Sequence, residues 1–355
     1  MSGKHIIVIG GGVIGAFIAW HLVTAGARVT VFCGKRGGVA TPNSFAWINA
    51  NWGNPEPYFR LRMAAMAGWR RLAGDVPGVN PDWCGSLCYD LPPEELEKFA
   101  TEQAGWGYGV ERILRDEILA LEPAIKQAPD WALKIREEGM IEPRPAALAM
   151  LADAERLGAT VHSGVQILAL SSRDGRVTGV VTADGVTASD EVILAAGVET
   201  AALAETVGVN VPMSSSPGLI IDTRPAPRML KHIVVAPGME MRQAPDGRII
   251  ASTSFNGTEP GVDPAATAKR VFEDMRLRLV GGDQLELEGY RIGYRPIPED
   301  GFSIVGRAEG VSGLYITVTH SGITLAPAIG DFAAKEVLHG ADEPLLAPYR
   351  LSRFR

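Results

Sequence analysis

The sequence predicts an α/β domain joined to an α+β domain built on an antiparallel sheet. Three observations carry this. A β-branched run, a glycine cluster, an apolar helix and a second β run occupy residues 6–32 in that order. Short β runs alternate with turns between residues 213 and 295. The chain has 355 residues, enough for two domains, and its 41 glycines follow no collagen period or low-complexity run.

The elements follow in chain order. Ile6-Ile7-Val8-Ile9 reads as a strand buried on both faces, as in a parallel sheet. Gly10-Gly11-Gly12-Val13-Ile14-Gly15 turns the chain into a helix over 13–25, which Gly26 can stop. Arg28 to Phe32 reads as the second strand of a βαβ unit. Pro143 to Leu157 reads as a helix, and Val161 to Leu170, Val177 to Thr182 and Val192 to Leu194 as strands. Leu219–Asp222, Met239–Arg242 and Arg248–Ser252 are β runs, the last two separated by the turn Pro245-Asp246-Gly247. Asp263 to Val280 reads as a helix, with Asp263 as N-cap and Pro264 in the first turn. Gly313 to Val318 is a strand, and a helix follows to about Leu338.

Bulk composition narrows the function. Lys plus Arg number 34 and Asp plus Glu 41, a net charge of −7. With no basic cluster, nucleic acid is not an expected partner. Cys33, Cys84 and Cys88 are too few for a disulfide scaffold, and the Cys84/Cys88 pair has no second ligand pair to form a metal site. Ile6 to Val23 is nearly uncharged and mimics a signal peptide or membrane span, but the glycines in its middle argue for the strand–turn–helix reading. A cytoplasmic protein without a membrane span is expected, and a homo-oligomer is compatible with the sequence.

The glycine turn matches GxGxxG through Gly10, Gly12 and Gly15. Gly10 allows the tight turn, Gly12 lets a pyrophosphate approach the backbone, and Gly15 lets helix and strand pack closely. The helix N-terminus offers N–H groups and a partial positive charge. A dinucleotide site is therefore expected. An acidic residue usually closes the second strand to hold a ribose hydroxyl, but here Cys33 stands there, followed by Gly34-Lys35-Arg36. Lys35 and Arg36 can accept a 2′-phosphate, so the motif alone does not choose between FAD and a nicotinamide.

The far end of the chain points to the flavin. After the strand at 313–318 comes Thr319-His320-Ser321-Gly322-Ile323-Thr324-Leu325-Ala326-Pro327. Together with the N-terminal motif, this resembles the flavin-dependent amine and amino-acid oxidases of the D-amino-acid oxidase superfamily, which include glycine oxidase and monomeric sarcosine oxidase. Three further stretches are similar to that family: Leu121-Glu122-Pro123, Glu191 to Gly197, and Tyr294-Arg295-Pro296 with Asp300-Gly301 and Ile304-Val305-Gly306. The resemblance implies a Rossmann-like FAD-binding domain with a discontinuous antiparallel-sheet substrate domain. The first takes residues 1–80, 140–212 and 296–355, and the second 81–139 and 213–295. It implies FAD contacts at Gly10, Gly12, Val13, Ile14, Gly15, Cys33, Lys35, Arg36, Ser44, Val165, Ala196, Gly197, Arg295, Ser321, Gly322, Ile323 and Thr324. It also implies that the last helix points its N-terminus at the flavin C2 carbonyl, where a helix dipole stabilises reduced flavin without a titrating group. Some members attach FAD through a C-terminal cysteine; no cysteine follows Cys88, so non-covalent FAD is expected.

The activity implied is oxidation of a small amino or imino acid of the glycine, sarcosine, iminodiacetate or D-amino-acid type. A hydride passes from the α-carbon to flavin N5, the imine hydrolyses to a 2-oxo acid, and dioxygen becomes peroxide. Such chemistry asks the protein to orient a C–H bond and exclude water, not to supply a His–carboxylate dyad. A carboxylate anchor is needed, and a guanidinium suits it. Arg295 reads as ending a strand just before Pro296 and matches the family position for that role, the alternative being a structural pair with Asp300. Arg242 is the second candidate. If both face the cavity, a substrate with two carboxylates is expected. His320 lies in the flavin loop as a hydrogen-bond partner rather than a base. Asn49, Asn51 and Trp52 are candidate pocket residues, with loop packing as the alternative. Arg144 is either pocket-facing or on the surface, and His162 and His232 read as ordinary strand residues. A dehydrogenase of the same fold using a quinone or protein acceptor, or a non-catalytic flavin-binding subunit of an amine dehydrogenase complex, are the alternative functions.

Overall fold

The computed structural model describes residues 3–51, 53–254 and 257–355. Two large sheets dominate it. The first has six strands in the order Ile304–Arg307, Leu314–Val318, Glu191–Leu194, His5–Ile9, Arg28–Cys33, Thr160–Ser163. All neighbours are parallel except the first pair. Its central strand is sequestered: Ile6, Ile7 and Val8 are fully buried, as a continuous β-branched run in a parallel sheet must be. The helix Val13–Thr24 covers one face and packs against Gly322–His339 and Pro143–Arg156. Phe17, Ile18 and Leu22 on it are fully buried, worth about 1.5–3 kcal/mol each against exposure. The uncharged stretch 6–23 is thus interior strand and helix. No described helix is long and apolar enough to cross a membrane.

The second sheet has eight strands in the order Leu287–Pro298, Met213–Thr223, Ile249–Ser252, Met239–Gln243, Ile233–Ala236, Ser86–Cys88, Trp131–Ile135, Val110–Leu114. All its pairs are antiparallel except that of Ile233–Ala236 with Ser86–Cys88. Period-two alternation sorts its side chains. Leu219, Ile221, Met239, Met241, Ile249 and Ala251 join a core with Val271, Phe272 and Met275 of the helix Pro264–Leu277. Asp263 caps that helix, its carboxylate accepting from the Ala266 amide at 3.0 Å. Ile220, Glu240 and Ile250 between them, and Ser252 after Ala251, point the other way.

Two readings of strands need correction. Val161 to Leu170 is not one strand: Thr160–Ser163 ends at Gly164, whose φ of +76° only glycine adopts easily, and pairing resumes at Ala169–Arg173. Arg295 does not end its strand, which runs to Pro298. Pro296 is tolerated because this strand lies at the sheet edge.

Candidate active site

The two sheets enclose a cleft of about 740 Å³. Its lower wall is built of backbone in close contact. A Cβ on Gly10 would lie 2.1 Å from the Ala195 carbonyl oxygen, and one on Gly15 would lie 2.0 Å from that of Gly10. Gly12 stands over Gly38 and Thr41, and the Thr41 hydroxyl accepts from the Val13 amide at 3.0 Å. The N-cap residues of Val13–Thr24 and Gly322–His339, Gly12 and Ser321, make no side-chain cap bond of their own, and Thr41 takes the first amide of Val13–Thr24. Residues beginning both helices line the cleft: Gly12, Val13 and Ile14 from one, Ser321, Gly322, Ile323 and Thr324 from the other. A cleft of this size with two helix N-termini and glycine-lined walls fits a dinucleotide carrying a pyrophosphate and an electron-accepting ring. FAD therefore fits the residues present.

Most of the expected site residues line this one cleft: Gly10, Gly12, Val13, Ile14, Cys33, Lys35, Ser44, Val165, Ala196, Gly197, Arg295, His320 and the four residues from Ser321 to Thr324. Asn49 does so too. Gly15 lies beneath the turn and acts by packing alone. Cys33 explains the absent acid. Its buried Sγ lies 2.8 Å from where a Cβ on Gly11 would stand, so side chain and glycine fit together. Burial pushes the thiol's pKa up and keeps it neutral.

Several expectations fail on geometry. Arg36 does not line the cleft; Glu155 holds it through two hydrogen bonds of 2.9 and 2.5 Å. Lys35 alone of the basic pair lies on the wall. Arg242 is 1% exposed and belongs to a charge network beside the cleft. Its guanidinium donates to the Phe45 carbonyl and to Glu142 (3.0 Å), and Arg248 bridges Glu142 to Asp222. The two-arginine basis for a dicarboxylate substrate is therefore removed. Asn51 faces the Cys88 sulfur at 4.0 Å, and Trp52 lies outside the described residues. Arg144 packs its stem against Gly37. His162 stacks on Phe32, and His232 contacts Glu122 at 2.7 Å. The Leu121-Glu122-Pro123 motif thus has a structural use: the same Glu122 oxygen accepts from the Lys231 and His232 amides.

Arg295 lies on the roof strand, its guanidinium part-buried. The alternative partner Asp300 is engaged elsewhere, by Arg353 at 2.7 and 2.9 Å. Burial lowers the Arg295 pKa, and a nearby carboxyl, Glu240, opposes this. His320 is held neutral: burial first, then the cations Arg62 and Arg295, bring its pKa down to about 4.

Three groups were not anticipated. Arg62 on the helix Glu56–Asp75 is 2% exposed and lines the cleft. It donates to the Asn49 carbonyl (2.9 Å), the Asn49 side chain (2.6 Å) and the Ser321 hydroxyl (2.9 Å). Behind it, fully buried Glu138 accepts from Tyr108 (2.5 Å), Ser86 (2.6 Å) and Trp47 (2.9 Å). Burial outweighs these donors and pushes its pKa up to about 7. Glu240 lines the cleft from the roof. Only the alternation of Met239-Glu240-Met241-Arg242 in the sequence hinted that an acid faces away from the roof core.

Known proteins agree with this architecture. The glycine oxidase of Pseudomonas putida is 29% identical, with 97% of each chain covered. The crystal structure of glycine oxidase from Geobacillus kaustophilus superposes with a TM-score of 0.88 at 23% identity, covering 99% of both chains. That of iminodiacetate oxidase from Chelativorans sp. BNC1 gives 0.85 at 23% identity, covering 97% of this chain and 98% of the other. The FAD dependent oxidoreductase (DAO) family matches residues 5–336, and the chain belongs to that family.

Proposed function

We propose that this protein oxidises a small amino or imino acid, with dioxygen as the final electron acceptor. The observation that carries the reading is Arg295 on the roof of the same cleft whose floor holds the glycine turn and the two helix N-termini. Bound FAD supplies a two-electron acceptor for the hydride released from the substrate α-carbon.

The chain's own residues bind and orient. Gly10, Gly12 and the N–H groups opening Val13–Thr24 would hold the pyrophosphate, and Lys35 on the same wall would add a positive charge. Ser321, Gly322 and the first turn of the last helix line the cleft, where the helix dipole would stabilise negative charge on a bound flavin. Thr324 fixes that turn: its hydroxyl donates to the Trp47 carbonyl at 3.2 Å, and Trp69 donates to the Ile323 carbonyl at 2.9 Å. Arg295 takes the substrate carboxylate and so fixes the position of the α-carbon. Neutral His320 adds a hydrogen-bonding group without adding charge. The roof sheet closes the cleft from above and keeps water from the imine until it is released.

The test is a panel of glycine, sarcosine, iminodiacetate, D-alanine and D-aspartate with air as the sole acceptor. Peroxide and a 2-oxo acid in equal amounts are expected from at least one of them. Turnover only with added quinone or dye would replace oxidase by dehydrogenase. An isolated chain whose flavin no amine reduces would make it a flavin-binding subunit.

A further inference from the structure

We propose that Glu240, when ionised, determines specificity in the substrate pocket, admitting amines that carry one carboxylate and rejecting those that carry a second. This rests on the amino-acid oxidation proposed above and names its substrate class.

Glu240 lies in the middle of Met239–Gln243, where Met239 and Met241 belong to the roof core. Its own side chain must therefore point toward the cleft, which it lines although only 5% exposed. Ser252 is its register partner on the neighbouring strand and lines the cleft beside it. Arg295 lies close enough for the two charges to influence each other. The roof thus has two poles. A zwitterionic substrate satisfies both, with its carboxylate at Arg295 and its amine toward Glu240. A second carboxylate, as in iminodiacetate or D-aspartate, would meet Glu240 instead of a cation. Like charges juxtaposed in a desolvated pocket oppose binding strongly.

The groups facing this carboxyl come from every neighbouring element: Asp90 and Cys88 from the strand Ser86–Cys88 and its exit, Ser252 from the adjacent strand, and Arg295 from the edge strand. Burial and then Asp90 raise its pKa, against Ser252 and Arg295, to about 8. Below that pH the neutral acid donates a hydrogen bond and tolerates a carboxylate. Above it, the ionised acid repels one. Discrimination therefore grows as the pH rises.

Two measurements test this on the FAD-loaded protein, each with wild type and Glu240→Gln. The first is kcat/KM for sarcosine against iminodiacetate between about pH 6.5 and 9.5. The preference for sarcosine should rise about tenfold or more in wild type and stay flat in the variant. The second is binding of acetate and malonate, followed by perturbation of the flavin visible spectrum. Neither has an amine to titrate or oxidise, so this arm reads Glu240 even if no amine is turned over. The acetate preference should rise with pH in wild type alone. If E240Q does not fold, the wild-type acetate and malonate series still decides. An equal rise in both proteins, or no rise in wild type, would overturn the proposal.

Discussion

The floor of the cleft, under the parallel sheet, is lined by Gly10, Gly12, Gly38 and Gly197, whereas its roof, on the antiparallel sheet, carries Arg295, Glu240 and Ser252. The floor works largely by what is missing: a Cβ on Gly10 or Gly38 would stand 2.1 or 2.6 Å from backbone already there. The roof works by which side chains alternate out of the core. Changes in the floor should therefore act on cofactor retention and folding, and changes in the roof on substrate recognition with the flavin kept.

The largest effect is expected from Gly15→Ala, whose new Cβ would overlap the Gly10 carbonyl. The purified variant should lack yellow colour; one that retains FAD fully would break the floor's side of the contrast. Arg295→Met comes next. It should keep the flavin spectrum and raise KM for carboxylate substrates about 10–100-fold, the equivalent of a lost charged hydrogen-bond pair. An unchanged KM would remove Arg295 from the roof's function. A middling effect is expected from Glu138→Gln, behind the cleft. In wild type its carboxyl ionises near 4.5 when unfolded and about 7 when folded. The stability it contributes is thus complete below pH 4.5 and lost as the pH rises through 7. The variant should flatten that decline in chemical denaturation. Arg62→Met should raise the His320 pKa above about 4, because one of the two nearby cations is gone; imidazole NMR would show it. The smallest effect is expected from Arg36→Ala. Its pair with Glu155 is about one-third exposed on both sides and is worth about 0–1 kcal/mol. FAD affinity should not change.

The same contrast explains what was legible in the sequence. The glycine turn could be read because its spacing falls inside one strand–turn–helix unit, although Gly10 makes room for Ala195 far along the chain. The loop from Thr319 and the strand with Arg295 could be read by resemblance. Arg62 could not: it meets Ser321 across 259 positions of chain, and as one arginine in an amphipathic helix it resembles its neighbours Arg60, Arg70 and Arg71. Glu138 gathers Trp47, Ser86 and Tyr108 from three separate segments. Arg242 is a second candidate for the cleft in the sequence. It does leave the roof core, but Phe45 and Glu142 claim it first. A strand pattern gives the face of a side chain, and only the packed neighbour decides whether that face is cavity or contact.

The convergence of both chain ends on one cofactor is tested most directly by the visible spectrum of the purified protein, followed by acid precipitation. Bands of oxidised flavin and a yellow supernatant that yields FAD are the expected result. A colourless protein that added FAD does not restore would contradict it, whereas colour that stays with the precipitate would overturn non-covalent binding.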